Sequence, residues 1–235
     1  MFNTAKSGAM KKKTILSIGI WIAVVTAVAQ DTSRFFLDVT ANKAAGFEQQ
    51  RLNFRLYVPP TSEFIYYSAG AGTGLELRLG TPLSNRFRIS AKTGYQLIYI
   101  SKSQRLGDSK NQSRGLFNRT EFGVSLHYLL PVGNPEWLEA AEFSAGPEYI
   151  FPGKLRRKID NNIQPDIHYQ NTWGFHSRAA GIFRLKPEKQ LSLIAAIELQ
   201  LASFKPETDS EEIPSELNPL DGSGVRFHLG IRKHL

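Results

Sequence analysis

Apolar and polar residues alternate along most of this chain, and the alternation is clearest between Leu191 and Leu235. Leu191, Leu193, Ala195, Ile197, Leu199 and Leu201 are apolar, while Ser192, Glu198 and Gln200 fall between them. After a polar stretch the pattern resumes as Val225, Phe227, Leu229 and Ile231, set against Arg226, His228, Gly230 and Arg232. Successive side chains on a strand point to opposite faces, so each segment predicts a strand with one apolar and one polar side.

The same period marks earlier segments. Leu52, Phe54, Leu56 and Val58 oppose Arg51, Asn53, Arg55 and Tyr57, and Pro59-Pro60 ends that strand. A second strand fits 65–80, where Glu76 and Arg78 separate Leu75, Leu77 and Leu79. The third, from Phe87 to Tyr99, opposes its apolar face with Arg88, Ser90, Lys92, Gly94 and Gln96. Strands over 115–130, 137–150 and 171–185 place Arg119, Glu121, Glu142, Glu148, Arg178 and Arg184 on their polar sides. With the final hairpin the total is eight. In 31–50 Phe35, Leu37 and Val39 alternate, but Ala41 to Gly46 breaks the period. Residues 30–46 therefore read as an N-terminal lead-in with room for a short strand, and 47–235 as the folded domain.

The connections sort by parity. Those at 81–85, 131–136 and 186–190 are short, those at 101–114, 152–170 and 205–222 are long, and 59–64 is modest. Transmembrane barrels of the outer membrane have short periplasmic turns, long extracellular loops and an even strand number. The expected fold is all-β: a single antiparallel up-and-down transmembrane β-barrel of about eight strands. Most segments reach the roughly 9–11 tilted residues that cross a bilayer. Tyr95, Tyr99, Tyr128, Trp137, Tyr149 and Trp173 near strand ends fit interfacial aromatic girdles.

Composition sharpens this reading. Lys11-Lys12-Lys13, an apolar run over 14–29 and Ala27-Val28-Ala29 predict a signal peptide at 1–29, cleaved before Gln30. Residues 1–9 read as an upstream extension of the reading frame before Met10. Removing 1–29 removes four lysines and no acid, so the formal charge falls from +8 to +4. The basic balance is thus partly a targeting effect, and no nucleic-acid partner is expected. The chain has no cysteine, which excludes disulfides, thiolate metal sites and a lipoprotein anchor.

If the apolar faces meet lipid, the polar faces line the lumen. They carry a candidate interior charge network of Arg55, Glu76, Arg78, Arg88, Arg119, Glu121, Glu142, Glu148, Arg178, Glu198, Arg226 and Arg232. An eight-stranded barrel is just wide enough for side chains to fill it. Paired charges are therefore expected there, with no open pore. No catalytic set is expected: His176 and Ser177 are adjacent on a strand and face opposite ways. No Ser, His and Glu gather on one face near a rim, as a lipid-modifying barrel enzyme would need. Phosphate-loop, dinucleotide and metalloprotease motifs are absent, and no cofactor or metal is expected. Function then falls to the loops. Lys154, Arg156, Arg157 and Lys158 form a basic cluster suited to anionic surfaces such as lipopolysaccharide phosphates. A soluble, lipocalin-like barrel is the third reading; its inside would be apolar and its outside polar.

The Ala-x-Ala-Gln signal end, the all-β region after it and the closing Gly224-Val225-Arg226-Phe227-His228-Leu229-Gly230-Ile231-Arg232 strand carry a resemblance. The chain resembles the small, porin-like, eight-stranded outer-membrane barrels of the OmpA/OmpX-like type common in Bacteroidetes. The resemblance implies the outer membrane as location, outer-membrane lipid and lipopolysaccharide as surroundings, and the barrel-assembly machinery as a partner in biogenesis. It supplies no functional residue.

Overall fold

The computed structural model describes residues 35–48, 50–51, 66–106, 109–130, 132, 137–159, 162–186, 189–207 and 219–235. Eight antiparallel strands build one wall. They are β1 (Phe36–Gly46), β2 (Gly72–Pro82), β3 (Phe87–Leu106), β4 (Ser109–Leu130), β5 (Leu138–Pro152), β6 (Thr172–Lys186), β7 (Leu191–Leu201) and β8 (Gly224–His234). Each pairs with its neighbour in sequence, and β1 closes the ring against β8 from Phe36–His234 to Gly46–Gly224. Closure removes the free edges of the sheet, a requirement in lipid, which offers no hydrogen bonds to unpaired backbone.

The faces sort by polarity in the sense lipid demands. Leu75, Leu77, Leu126, Phe143, Ile197, Phe227 and Leu229 are exposed on the outside. Their neighbours Glu76, Arg78, Glu142, Glu198, Arg226 and His228 are buried in the lumen. Aromatics ring both ends of the wall. Phe87 packs on Tyr128, and Trp137 stacks on Phe183, at the short-turn end. Tyr149 packs against Phe151 and Trp173 at the long-loop end.

The first strand differs from the sequence reading. Residues 36–46, expected as part of a lead-in, pair with both β2 and β8 and belong to the barrel. The strand expected at Leu52–Val58, including Arg55, lies outside the described residues. Two features blur the period of β1. Its outward face is Leu37, Val39, Ala41, Lys43 and Ala45, only weakly apolar, and its inward face includes the buried Phe36. With β1 in place the first connection runs over 47–71, so it joins the long set and the parity becomes complete. The signal segment 1–29 also lies outside the described residues.

The connection expected at 101–114 is mostly strand. β3 and β4 stay paired out to Leu106 and Ser109. A ladder beyond the apolar belt needs no alternating hydrophobic face, so polar sequence hides it. The connection after β5 likewise carries a short hairpin, Leu155–Ile159 against Asn162–Ile167, whose first strand extends the wall beside β4. At Gly123, an added Cβ would stand 3.1 Å from Lys92 Cε, so this glycine makes room for a buried lysine.

Candidate functional site: the lumen and its two mouths

Each inward position is fixed by the strand pleat, and the register decides which positions meet. In the layer nearest the long loops, Arg226 grips Glu121 with both terminal nitrogens, Nη1 donating to Oε2 at 2.7 Å. Arg119 Nε lies 3.0 Å from the same carboxylate, donates to Gln96 at 2.8 Å, and reaches the Gly222 carbonyl through Nη1 at 3.0 Å. In the middle layer Lys92 lies 2.8 Å from Glu148 and 3.3 Å from Glu198. There Arg78 and Arg178 both donate to Glu76, at 3.0 and 3.2 Å. In the third layer Arg232 binds Asp38 at 2.7 and 2.8 Å and Glu142 at 3.0 Å.

Among the described residues, Asp38, Glu76, Glu121, Glu142, Glu148 and Glu198 thus meet Arg78, Lys92, Arg119, Arg178, Arg226 and Arg232, all twelve buried. Six buried anions against six buried cations make a neutral core. Desolvated charges need such pairing, since an isolated one costs several kcal/mol, on the order of the protein's whole stability. Ten of the residues expected in the network are in this set, and Arg88 stands at its edge with a side chain 16% exposed. Asp38 is hidden in sequence because the weak alternation of β1 masks its strand; Lys92 is visible on the polar face of β3.

Two further constellations are invisible in the sequence. Ser90 Oγ lies 2.6 Å from His127 Nε2, and His127 Nδ1 lies 2.8 Å from Glu142. Since a carboxylate only accepts, Nδ1 donates to it and Nε2 accepts from the serine. Ser125 Oγ lies 2.8 Å from His176 Nε2, whose Nδ1 is 3.5 Å from Glu148. The sequence reading concerns a set near a rim; these two sets lie buried in the lumen, where three strands bring each together by register, which sequence does not display. The order is that of an acyl-transfer relay. Both serines are only 2% exposed, Ser125 Oγ also accepts from Arg78 at 3.3 Å, and Glu142 is already committed to Arg232. Both sets lie buried among the charged layers.

Glu76, Glu198 and His228 also bring ligand-type atoms within 4.8 Å of one another. Lys92 Nζ stands 3.8 Å from Glu76 and 3.3 Å from Glu198. An ammonium already supplies the positive charge a metal would bring.

The two mouths differ. At the long-loop end an apolar plug occupies the mouth: Ile98, Phe117, Ile150, Leu155, Ile167, Tyr169, Phe204 and Leu220 are buried together with Ala69 and Ala202. Phe117 contacts both Tyr169 and Phe204, and the Arg119 guanidinium lies over the Phe204 ring where plug meets charge. At the short-turn end a cavity opens from the lumen to solvent. The basic cluster sits beyond the plug. Lys154 and Arg156 are exposed, with Lys154 3.8 Å from Asp166, and Arg157 and Lys158 lie on the strand that pairs with β4.

No protein-family model matches the chain, and no curated protein is significantly similar to it in sequence. Solved structures resemble it in fold, three of them as follows. The outer membrane protein OprG from Pseudomonas aeruginosa superposes with a TM-score of 0.53 at 12% identity, over 86% of this chain and 96% of that one. AlkL, an outer membrane protein solved in DMPC bilayers, gives 0.51 at 12% identity, over 86% and 90%. A major outer membrane protein from Thermus thermophilus gives 0.50 at 14% identity, over 87% and 100%. At these identities the likeness shows the fold alone. Together with the apolar exterior and charged interior it defines the class: an integral outer-membrane β-barrel of eight strands. The inverted polarity overturns the lipocalin-like alternative. In this class the long loops face the cell exterior and the short turns the periplasm.

Proposed function

We propose that this barrel works at the cell surface, as a closed scaffold whose basic outer wall binds phosphate-rich glycolipid such as lipopolysaccharide. The observation that carries the reading is a ladder of like charges above the bilayer. Arg105 pairs in register with Lys110, and Arg114 with Lys158. Cross-strand positions of like sign are destabilising unless something neutralises them. Over 101–118 and 152–170 the chain carries eight lysines and arginines against three aspartates. A dense array of phosphates supplies the counter-charge that suits such a wall.

The filled lumen supports a surface role over a conduit: the plug is apolar and the layers beneath it are paired charge. Binding of the refolded protein to lipopolysaccharide should weaken steeply with salt, because exposed charges are screened over about 8 Å at physiological ionic strength. The K154Q/R156Q/R157Q/K158Q variant should lose most of the affinity while keeping heat-modifiable migration on a gel. Binding that ignores both salt and these substitutions would refute the proposal.

A further inference from the structure

The periplasmic mouth is open and electrostatically unbalanced. A cavity of about 400 Å³ lies there, lined among others by Arg88, Glu139, Arg184, Gln190, Ser192 and His234. Among the described residues its one carboxylate, Glu139, already has partners. Ser192 Oγ donates to one oxygen of Glu139, and His234 Nε2 lies 3.0 Å from the other.

The arginines are not matched in this way. Arg88 is a seventh cation beside the six paired ones of the lumen. Its nearest acidic atom, Glu142 Oε2, is 3.8 Å from Nη1 and already accepts from Arg232 at 3.0 Å. Arg88 Nη1 is buried without a hydrogen-bond partner. The guanidinium is held in place over the Phe36 ring, 5.5 Å from its centroid. Arg184 is exposed at the same cavity and, among the described residues, makes no ion pair.

We propose that this vestibule is a binding site for a phosphate group. Among the described lining Arg88 and Arg184 face the single carboxylate of Glu139, so the site is net positive, and the planar fork of arginine suits a tetrahedral oxyanion better than a point charge does. His234, anchored on Glu139, stands at the rim. Lumenal access admits a soluble phosphate or phosphoester from the periplasm. The position at the bilayer surface also admits the headgroup of an inner-leaflet phospholipid. The chemistry recognised is the same. The site lies at the opposite end from the basic outer wall and does not depend on it.

The test is thermal unfolding of the refolded full barrel in phosphatidylcholine nanodiscs, titrated with inorganic phosphate against sodium chloride of equal ionic strength. A ligand that binds only the folded state raises Tm saturably. The expected result is such a rise with phosphate and none with chloride. R88Q and R184Q should each weaken the apparent affinity about tenfold, and together abolish the response. Arg184 is exposed, so R184Q reports on the site even if R88Q perturbs the lumen. A second arm replaces part of the phosphatidylcholine with phosphatidylglycerol. A Tm rise in those discs, lost in the double variant, with no response to free phosphate assigns the site to lipid headgroups. A response to free phosphate assigns it to a soluble ligand. Indifference to both, or an equal response in the double variant, overturns the proposal.

Discussion

The two ends of this lumen are closed and opened by different physics. At the outer end the seal is apolar, built from Phe117, Tyr169, Phe204 and the aliphatic residues around them. At the inner end the last layer is Arg232 with Asp38 and Glu142, followed by Arg88, 3.8 Å from Glu142, and an open vestibule. The plug derives its stability from area removed from water, about 1.5–3 kcal/mol for each large side chain. The charged layers derive theirs from mutual satisfaction, so their contribution is conditional: intact they are tolerated, and broken they are costly. The apolar end therefore answers to lost buried area, and the charged end to lost pairing.

The largest expected effect comes from breaking the charged layer. Glu121 is shared by Arg119, Arg226 and Gln200, so E121A leaves two buried guanidinium groups short of a counter-charge. Unfolding in urea from lipid vesicles should show a loss of about 3–5 kcal/mol. A loss below about 1 kcal/mol would mean that water replaces the carboxylate, and that the layer is wet rather than paired. Next is the plug. F204A removes a fully buried ring and should cost about 3 kcal/mol. This variant should still show no conductance in a planar bilayer, because the layer of Arg119, Glu121 and Arg226 beneath it remains filled. A measurable current in F204A would assign closure to the plug alone. Smaller again is the lipid face, where L77R places a charge on an exposed outer position of β2 and should cost about 2 kcal/mol if it lies near the bilayer midplane.

These layers are unequally legible in sequence. Strands β2 to β8 announce themselves because leucine and phenylalanine alternate with charge, as in Leu75-Glu76-Leu77-Arg78. The polar partners on those strands can be named one by one, from Glu76 to Arg232. β1 is different, since Ala41, Lys43 and Ala45 on its outer face carry too little hydrophobicity to set a period. With β1 goes Asp38, the carboxylate that holds Arg232. The extension of the β3–β4 hairpin is hidden for the opposite reason: outside the membrane a ladder needs no apolar face, so polar residues carry no period there. What no strand-by-strand reading supplies is register. Ser90, His127 and Glu142 lie on three strands, and only the pairing of Arg88 with His127 and of His127 with Ser144 fixes their separation. The plug is hidden for the same reason, because its residues come from β3, β4 and β5 and from three long connections.

The smallest effect on stability falls at the outer wall, and there the comparison between the ends becomes a comparison between folding and function. Lys154 and Asp166 form a pair with side chains 51% and 34% exposed, and exposed pairs contribute about 0–1 kcal/mol. Arg156 is exposed beside it. K154Q/R156Q should therefore leave unfolding within about 0.5 kcal/mol of the parent barrel. The same change removes two of the eight cations from the wall, and its effect on lipopolysaccharide binding should be visible at low salt and vanish at high salt. A stability loss comparable to that of F204A would show that the cluster holds the loop hairpin onto the plug. Unchanged stability with weakened, salt-sensitive binding would separate the two roles, leaving the plug and lumen to hold the barrel closed and the wall to meet its anionic surroundings.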